Sequence, residues 1–303
     1  MKKLILASLG FILFGNTAHA EEPLEIYTTV YPLEFIVESI AQETVNVKSI
    51  IPAGADAHSY EPTMQDMTTY ANADAFIYVG GNMETFSDSI SSALSNQPVE
   101  LIHLYTHEDL FTPEHDEHEH DHGSDEDHDH GDLDPHIWIS PTKMIDVAEI
   151  IVEELILLNP SAEEFYLENY EVLVEDLEAL DQAFHETLDD KENGHIIVPH
   201  AAYGYWSTYG ITQIPLSGYS MSDEPSQRQL QEIVVTANEY NIDFVLFEQN
   251  VESRIPEVIK NEIGAETRTI HNLEVRLQEE IDNEDDYLDI MYRNLEVLDE
   301  VTK

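Results

Sequence analysis

The sequence predicts an α/β protein of two lobes with parallel sheets, joined by one long, rigid helix, with a metal site in the cleft between the lobes. Three observations lead there. Short apolar runs alternate with stretches of helical period, as in parallel strands linked by crossover helices. The alternation occurs twice along 303 residues, enough chain for two modest domains. Between the two halves lies a charged segment whose apolar positions Phe165, Leu173, Leu177, Leu180 and Phe184 fall mostly three or four residues apart.

In the first half "LEIYTTV" reads as a strand and "PLEFIVESIAQE" as a helix from Pro32, where a missing N–H is harmless. "VNVKSIIP" is the second strand, and "TMQDMTTYANA" can form a helix. The strand "DAFIYVG" stops at Gly80-Gly81, Ser87 to Ala93 is a short helix, and "VELIHL" is the fourth strand. Beyond an interruption, Ser140-Pro141 opens a helix through about Leu158, and Pro160 opens the long one.

The second half repeats the order. "HIIVPH" is a strand ending at a histidine, "YGYWSTYG" a short helix closed by Gly210, and "ITQIPL" a strand. "PSQRQLQEIVVTANEYN" is a helix, "IDFVLFEQN" a buried strand, and "IPEVIKNEIG" a helix ended by Gly264. "ETRTIHNLE" is the last strand with its exit loop, before the closing helix "DYLDIMYRNLEVLDEV". The expected division is a signal peptide at 1–20, a first lobe at 21–159, a linking helix at 160–190 and a second lobe at 191–303.

The N-terminus supports that first boundary. Two lysines, an apolar run from Leu4 to Phe14 and Ala18-His19-Ala20 read as a secretory signal, too short for a retained span. No other apolar run is long enough to cross a bilayer. The chain has no cysteine, so it has neither a disulfide framework nor a thiol for lipid attachment. We therefore expect a free extracytoplasmic protein, periplasmic or secreted, without a lipid-anchor cysteine. There are 63 acidic against 12 basic residues, a net charge of −51 that repels nucleic acid and anionic membranes and attracts cations. The acidity runs through the whole chain, as a surface adaptation would, and salt would screen its self-repulsion.

No dinucleotide-binding or phosphate-binding glycine pattern and no GxSxG elbow is present. The informative residues are histidines at strand exits, where an α/β sheet presents ligands to a crevice. His58 follows the second strand in "IPAGADAHSYEP", His136 lies in "DPHIW", and His200 ends the first strand of the second half. Imidazoles suit zinc, nickel or copper, and a carboxylate can complete a tetrahedron. Near the last strand, "TIHNLE" offers Glu274 or, alternatively, His271 as the fourth ligand. Glu61 and Asp134 are local runners-up; Asp134 could instead hold a ring N–H of a ligating histidine.

Eight segments, "YPLEFIVESIAQE", "PAGADAHSYEPT", "ADAFIYVGGNMETF", "DPHIWISP", "NYEVLVEDLEALD", "VPHAAYGYW", "FVLFEQN" and "NLE…DYLDIMYRNLEVL", follow one another in an order that resembles the metal-binding extracytoplasmic solute-binding proteins. These serve ABC transporters for zinc or manganese. The resemblance spans essentially the whole chain after the signal. It implies two lobes bridged by a rigid helix with the metal between them, and places ligands on His58, His136, His200 and Glu274. Manganese-type members tend to carry a carboxylate where His200 stands, so imidazole favours zinc. Similar zinc-type members carry "NPLE", whereas this chain carries "HNLE", which leaves His271 beside Glu274 as a candidate.

Just before DPHIW, residues 115–130 hold six histidines (His115, His118, His120, His122, His128 and His130) and eight acidic residues. Gly123, Ser124 and Gly131 favour flexibility, and like charge opposes packing. A loop at 115–132 with shifting weak sites suits an accessory role, raising metal concentration near the main site.

The expected function is high-affinity capture of Zn²⁺ outside the cytoplasm and delivery to an integral-membrane ABC permease with its cytoplasmic ATPase. A metallochaperone is a further conceivable partner, and the protein is expected to be a monomer that binds no nucleic acid. It is not expected to be an enzyme. Alternatives are manganese or nickel binding in the same transport class, a zinc-dependent hydrolase using three histidines and water, and a metal-dependent surface adhesin.

Overall fold

The computed structural model describes residues 22–81, 84–112, 133–219, 225–249 and 254–303. The signal segment 1–20 and the six-histidine run lie outside the described residues.

The first sheet holds β1 (Leu24–Thr28), β2 (Val45–Ser49), β3 (Ala75–Tyr78) and β4 (Glu100–His103), all parallel, in the order β2-β1-β3-β4. Helices α1 (Tyr31–Ala41), α2 (Met64–Tyr70) and α3 (Thr85–Leu94) provide its crossovers. The second sheet repeats the order as β6-β5-β7-β8, from β5 (His195–Val198), β6 (Thr212–Pro215), β7 (Phe244–Glu248) and β8 (Glu266–Ile270). In each sheet the chain steps to one side of its first strand and then to the other. Between those two directions a crevice opens at the strands' carboxyl ends.

Two parallel-sheet lobes and a long connecting helix are therefore present, as the sequence predicts. Ser140 caps α4 (Pro141–Leu158), accepting the N–H of Lys143 at 3.3 Å, with Pro141 in its first turn. A single 3₁₀ turn at Pro160–Ala162 separates it from α5 (Glu163–Leu188). The buried stripe of α5 is Tyr166, Leu173, Leu177, Leu180, Phe184 and Leu188. Phe165, expected in that stripe, is only half-buried because the helix turns Tyr166 inward instead. This stripe faces α1, α4 and the closing helix α9 (Tyr287–Val301), so α5 packs on elements from both ends of the chain.

Behind the second sheet lie α6 (Gln227–Glu239) and α7 (Arg254–Ile263), and the short α8 (Gln278–Asp282), which periodicity did not reveal, precedes α9. "YGYWSTYG" forms a 3₁₀ stretch over Gly204–Tyr209, ended by Gly210 at φ 75°. The main apolar core contains Trp138, Tyr166 and Phe184 together with Tyr203, Trp206 and Tyr287, so it runs continuously from the first lobe into the second. A smaller cluster around Ile197, Ile233, Val245 and Ile259 fills the back of the second sheet. Among the described residues, no helix is long and apolar enough to cross a membrane.

Candidate metal centre

Each of the four expected site residues leaves the carboxyl end of a strand or the start of a helix. His58 lies in the loop after β2, where Asp56 Oδ1 accepts its main-chain N–H at 3.0 Å. That loop turns at Gly54 (φ 71°), whose N–H donates to the Arg276 carbonyl at 3.0 Å. His136 precedes α4 in the DPHIW segment. Asp134 Oδ1 takes both its main-chain N–H, at 3.0 Å, and its ring Nδ1, at 2.8 Å. His200 follows β5, and its Nδ1 lies 2.7 Å from Glu248 Oε1 at the end of β7. Glu274 follows β8 through a turn in which Leu273 adopts φ 63°.

These residues converge. One ligand atom from each of His58, His136, His200 and Glu274 lies within 4.8 Å of all the others, a group that could hold a metal ion. Glu274 Oε1 is 3.4 Å from His58 Nε2, 3.5 Å from His200 Nε2 and 3.9 Å from His136 Nε2. Metal bonds of about 2.0–2.1 Å in a tetrahedron would set donors about 3.3 Å apart. All four of these atoms are buried and make no hydrogen bond. Orphaned polar atoms in an interior are costly, and four aimed at one point fit a bound cation. Nδ1 donating to Asp134 in His136, and to Glu248 in His200, turns each Nε2 toward the common point, where its lone pair serves a metal once that nitrogen is unprotonated.

Electrostatics point the same way. Burial works against a charged His200, but the Glu248 and Glu274 carboxylates override it and push its pKa up to about 10. For Glu274 burial favours the neutral acid, yet the His200 and His58 imidazoles hold the carboxyl well below its usual range. Burial holds His136 below the ordinary histidine value despite Asp134. His58 is raised: burial opposes its charge and Glu274 outweighs it.

The other candidates sit elsewhere. His271 is buried, but its Nδ1 accepts the Leu273 N–H at 2.9 Å and its Nε2 lies 3.1 Å from Glu280 Oε2. Both ring nitrogens are thus engaged away from the cluster. Glu61 is exposed and is not part of the converging group. Asp134 takes the supporting position, held in turn by a close approach: a Cβ on Gly204 would come within 2.6 Å of its Oδ2. Sequence reasoning overlooked Glu248, although a carboxylate ending a buried strand was a usable signal. It also overlooked Tyr203, whose hydroxyl donates to Glu248 Oε1 at 3.2 Å, and Glu84. Full burial pushes the Glu84 carboxyl up to about 7, and its Oε2 accepts the Gly80 N–H at 3.0 Å.

The segment from Asp134 to Ile139 is tied to the second lobe by its main chain. The carbonyls of Asp134, Trp138 and Ile139 accept from Tyr205 Oη, Tyr287 Oη and Trp206 Nε1 at 2.8, 2.8 and 3.0 Å. His136 therefore sits at a seam, although it is encoded in the first half.

Comparison with known proteins agrees with this architecture. The zinc-binding lipoprotein AdcA of Streptococcus pneumoniae serotype 4 is 32% identical over 308 residues, covering all of this chain and 61% of that protein. This chain thus spans about three fifths of that relative's length. The high-affinity zinc uptake system protein ZnuA of Bacillus subtilis is 32% identical over 285 residues, covering 94% of this chain and 89% of that one. The crystal structure of the Zn(II)-bound ZnuA-like domain of S. pneumoniae AdcA superposes with a TM-score of 0.74 at 28% identity, covering 92% of this chain and 99% of that one.

These relatives correct one expectation. The absence of cysteine suggested a free protein with no lipid anchor, but the pneumococcal relatives are named lipoproteins. Lack of a thiol removes one attachment chemistry; it does not establish free diffusion. The relatives are named for zinc binding and uptake rather than for catalysis. A family model described as ZnuA, zinc-uptake complex component A, periplasmic, matches residues 26–301, and the chain belongs to that family.

Proposed function

We propose that this protein captures Zn²⁺ outside the cytoplasm with high affinity and delivers it to a membrane permease. The observation that carries this reading is the convergence of four buried, unpartnered donor atoms from His58, His136, His200 and Glu274. In this reading three imidazoles and one carboxylate are the ligands, and zinc is cargo rather than cofactor. Three neutral nitrogens and one oxygen suit zinc better than manganese, which prefers more oxygen donors. Four protein donors close the tetrahedron and leave no place for a reactive water, unlike a hydrolytic zinc site.

The partner is an integral-membrane ABC permease driven by a cytoplasmic ATPase, a metallochaperone is a further partner, and the binding protein acts as a monomer. Lobes at 21–159 and 191–303 with a linking segment at 160–190 are the domain division that goes with this function. The histidines at 115, 118, 120, 122, 128 and 130 serve as an accessory metal-gathering run.

The test is metal content with competitive affinity for Zn²⁺, Mn²⁺ and Ni²⁺ in wild type, His200→Ala, Glu274→Ala and a deletion of residues 115–130. Tight one-to-one zinc binding lost in the first two variants and kept in the deletion is expected. Zinc binding that vanishes with the deletion but survives His200→Ala overturns the site. Loss in His271→Ala but not in Glu274→Ala corrects the fourth ligand alone.

A further inference from the structure

Asn272 stands in the HNLE stretch, where the sequence departs from the NPLE of similar zinc-type members, and its side chain has had no role so far. It is only 2% exposed. Its Nδ2 donates to Glu248 Oε2 at 3.1 Å. Its Oδ1 accepts the Glu274 main-chain N–H at 3.3 Å and Gln249 Nε2 at 3.2 Å. Its carbonyl accepts Trp138 Nε1 at 2.8 Å, and the Trp138 ring lies 5.3 Å from that of His136.

One residue therefore touches the supports of three of the four converging groups. The amide orientation follows from the partners: a carboxylate can only accept, whereas two N–H groups can only donate. A reversed amide would set oxygen against oxygen and N–H against N–H. Glu248 Oε1 already serves His200 and Tyr203, so Asn272 supplies the donor for the second oxygen of this buried carboxylate. Without it, that oxygen loses its donor and the carboxylate is freer to rotate away from His200.

We infer that Asn272 is a positioning residue for zinc capture, locking the Glu248 carboxylate and the Glu274 main chain into one frame so that His200 and Glu274 are presented together. The inference depends on zinc binding at the four-residue site proposed above. It acts through pre-organisation: groups already held in place lose less freedom when the ion arrives.

The test reverses the polarity of the link. Asn272→Asp keeps the shape but replaces the donor to Glu248 by an acceptor. It weakens zinc binding roughly tenfold to a hundredfold, the range for supports of metal ligands, with a faster dissociation rate. Adding Glu248→Gln lets the new amide donate to the new carboxylate while its oxygen still accepts from His200, and most of the loss is recovered. Asn272→Ala removes both links without adding charge, and it gives the same loss should Asn272→Asp fail to fold. Rescue by the second substitution is a readout that simple loss of packing would not produce.

The inference is overturned if both Asn272 variants bind and release zinc as wild type does, or if the losses from Asn272→Asp and Glu248→Gln merely add. His200→Ala, measured alongside, separates the two levels. If it keeps tight zinc, the site itself is wrong and the role of Asn272 falls with it. If it loses zinc while the Asn272 variants stay like wild type, only the Asn272 inference fails.

Discussion

In the first lobe, His58 reaches the centre from a loop placed through its main chain, by the Asp56 turn and the bond from Gly54 to Arg276. In the second, His200 is gripped at its ring by Glu248, and Glu248 is held by Tyr203 and Asn272. The side chains of His200, Glu274 and His58 are 1%, 2% and 7% exposed. The two sheets share one strand order, yet the loops after β2 and β5 hold their imidazoles in different ways. Topology brings a loop to the crevice; polar partners at neighbouring strand ends decide how firmly that loop holds an imidazole.

The largest expected effect is on the metal-free fold. His200→Ala removes one member of a buried ion pair and leaves Glu248 short of its partner, costing about 3–5 kcal/mol in denaturant unfolding. His58→Ala costs much less, and equal losses would erase the contrast between the two imidazoles.

Zinc affinity comes next. If four ligands share roughly 10–16 kcal/mol, deleting Glu274 removes about 3 kcal/mol, or about two orders of magnitude in dissociation constant. Chelator competition on Glu274→Ala measures this. A comparable loss in His271→Ala would move the fourth ligand to the neighbouring histidine.

The pH dependence sharpens the contrast. His200 is raised from 6.5 to about 10 in the metal-free protein, so its pairing stabilises that fold fully below pH 6.5 and is lost as pH rises through about 10. Zinc needs the neutral ring. Between pH 7 and 9, binding should therefore release about one proton from His200, and affinity should rise with pH while metal-free stability falls. Calorimetry in buffers of different ionisation enthalpy gives the proton count. No release in that window would mean that His200 is already neutral.

The smallest effect belongs to the seam. Gly204→Ala places a Cβ 2.6 Å from Asp134 Oδ2 and must displace the carboxylate that orients His136. We expect up to about a tenfold loss of zinc affinity, at the low end for a displaced ligand support. Unchanged affinity would show that Asp134 has room to adjust.

Much of the fold was legible locally. Strand and helix periods located nearly every element, because side-chain spacing and terminal signals act within a few residues. Ser140-Pro141 opened α4 as read, and Gly210 and Gly264 ended their elements with positive φ. The inward residue of the first turns of α5 was misassigned, and α8 has too few residues for a period to show. For the site, placement at a strand exit drew attention to His58 and His200 before their neighbours were known.

By itself the sequence determined two rounds of strand and helix, the segment between them, and a short set of histidines at the right ends of strands. Only the tertiary structure decided which of 63 acidic residues matter there. Glu248 meets His200 across 48 positions, and Asn272 meets Trp138 across 134. No period or spacing encodes those distances. Glu274 and His271 are three residues apart and equally available on paper; a turn at Leu273 aims one at the three imidazoles, while Glu280 and the Leu273 N–H engage the other. DPHIW, the quiet neighbour of the six-histidine run, and the Ile139 that follows it are held by carbonyl bonds to Tyr205, Tyr287 and Trp206, aromatic residues far along the chain. Local chemistry makes an imidazole available, but only long-range packing can orient it and surround it with the right charges.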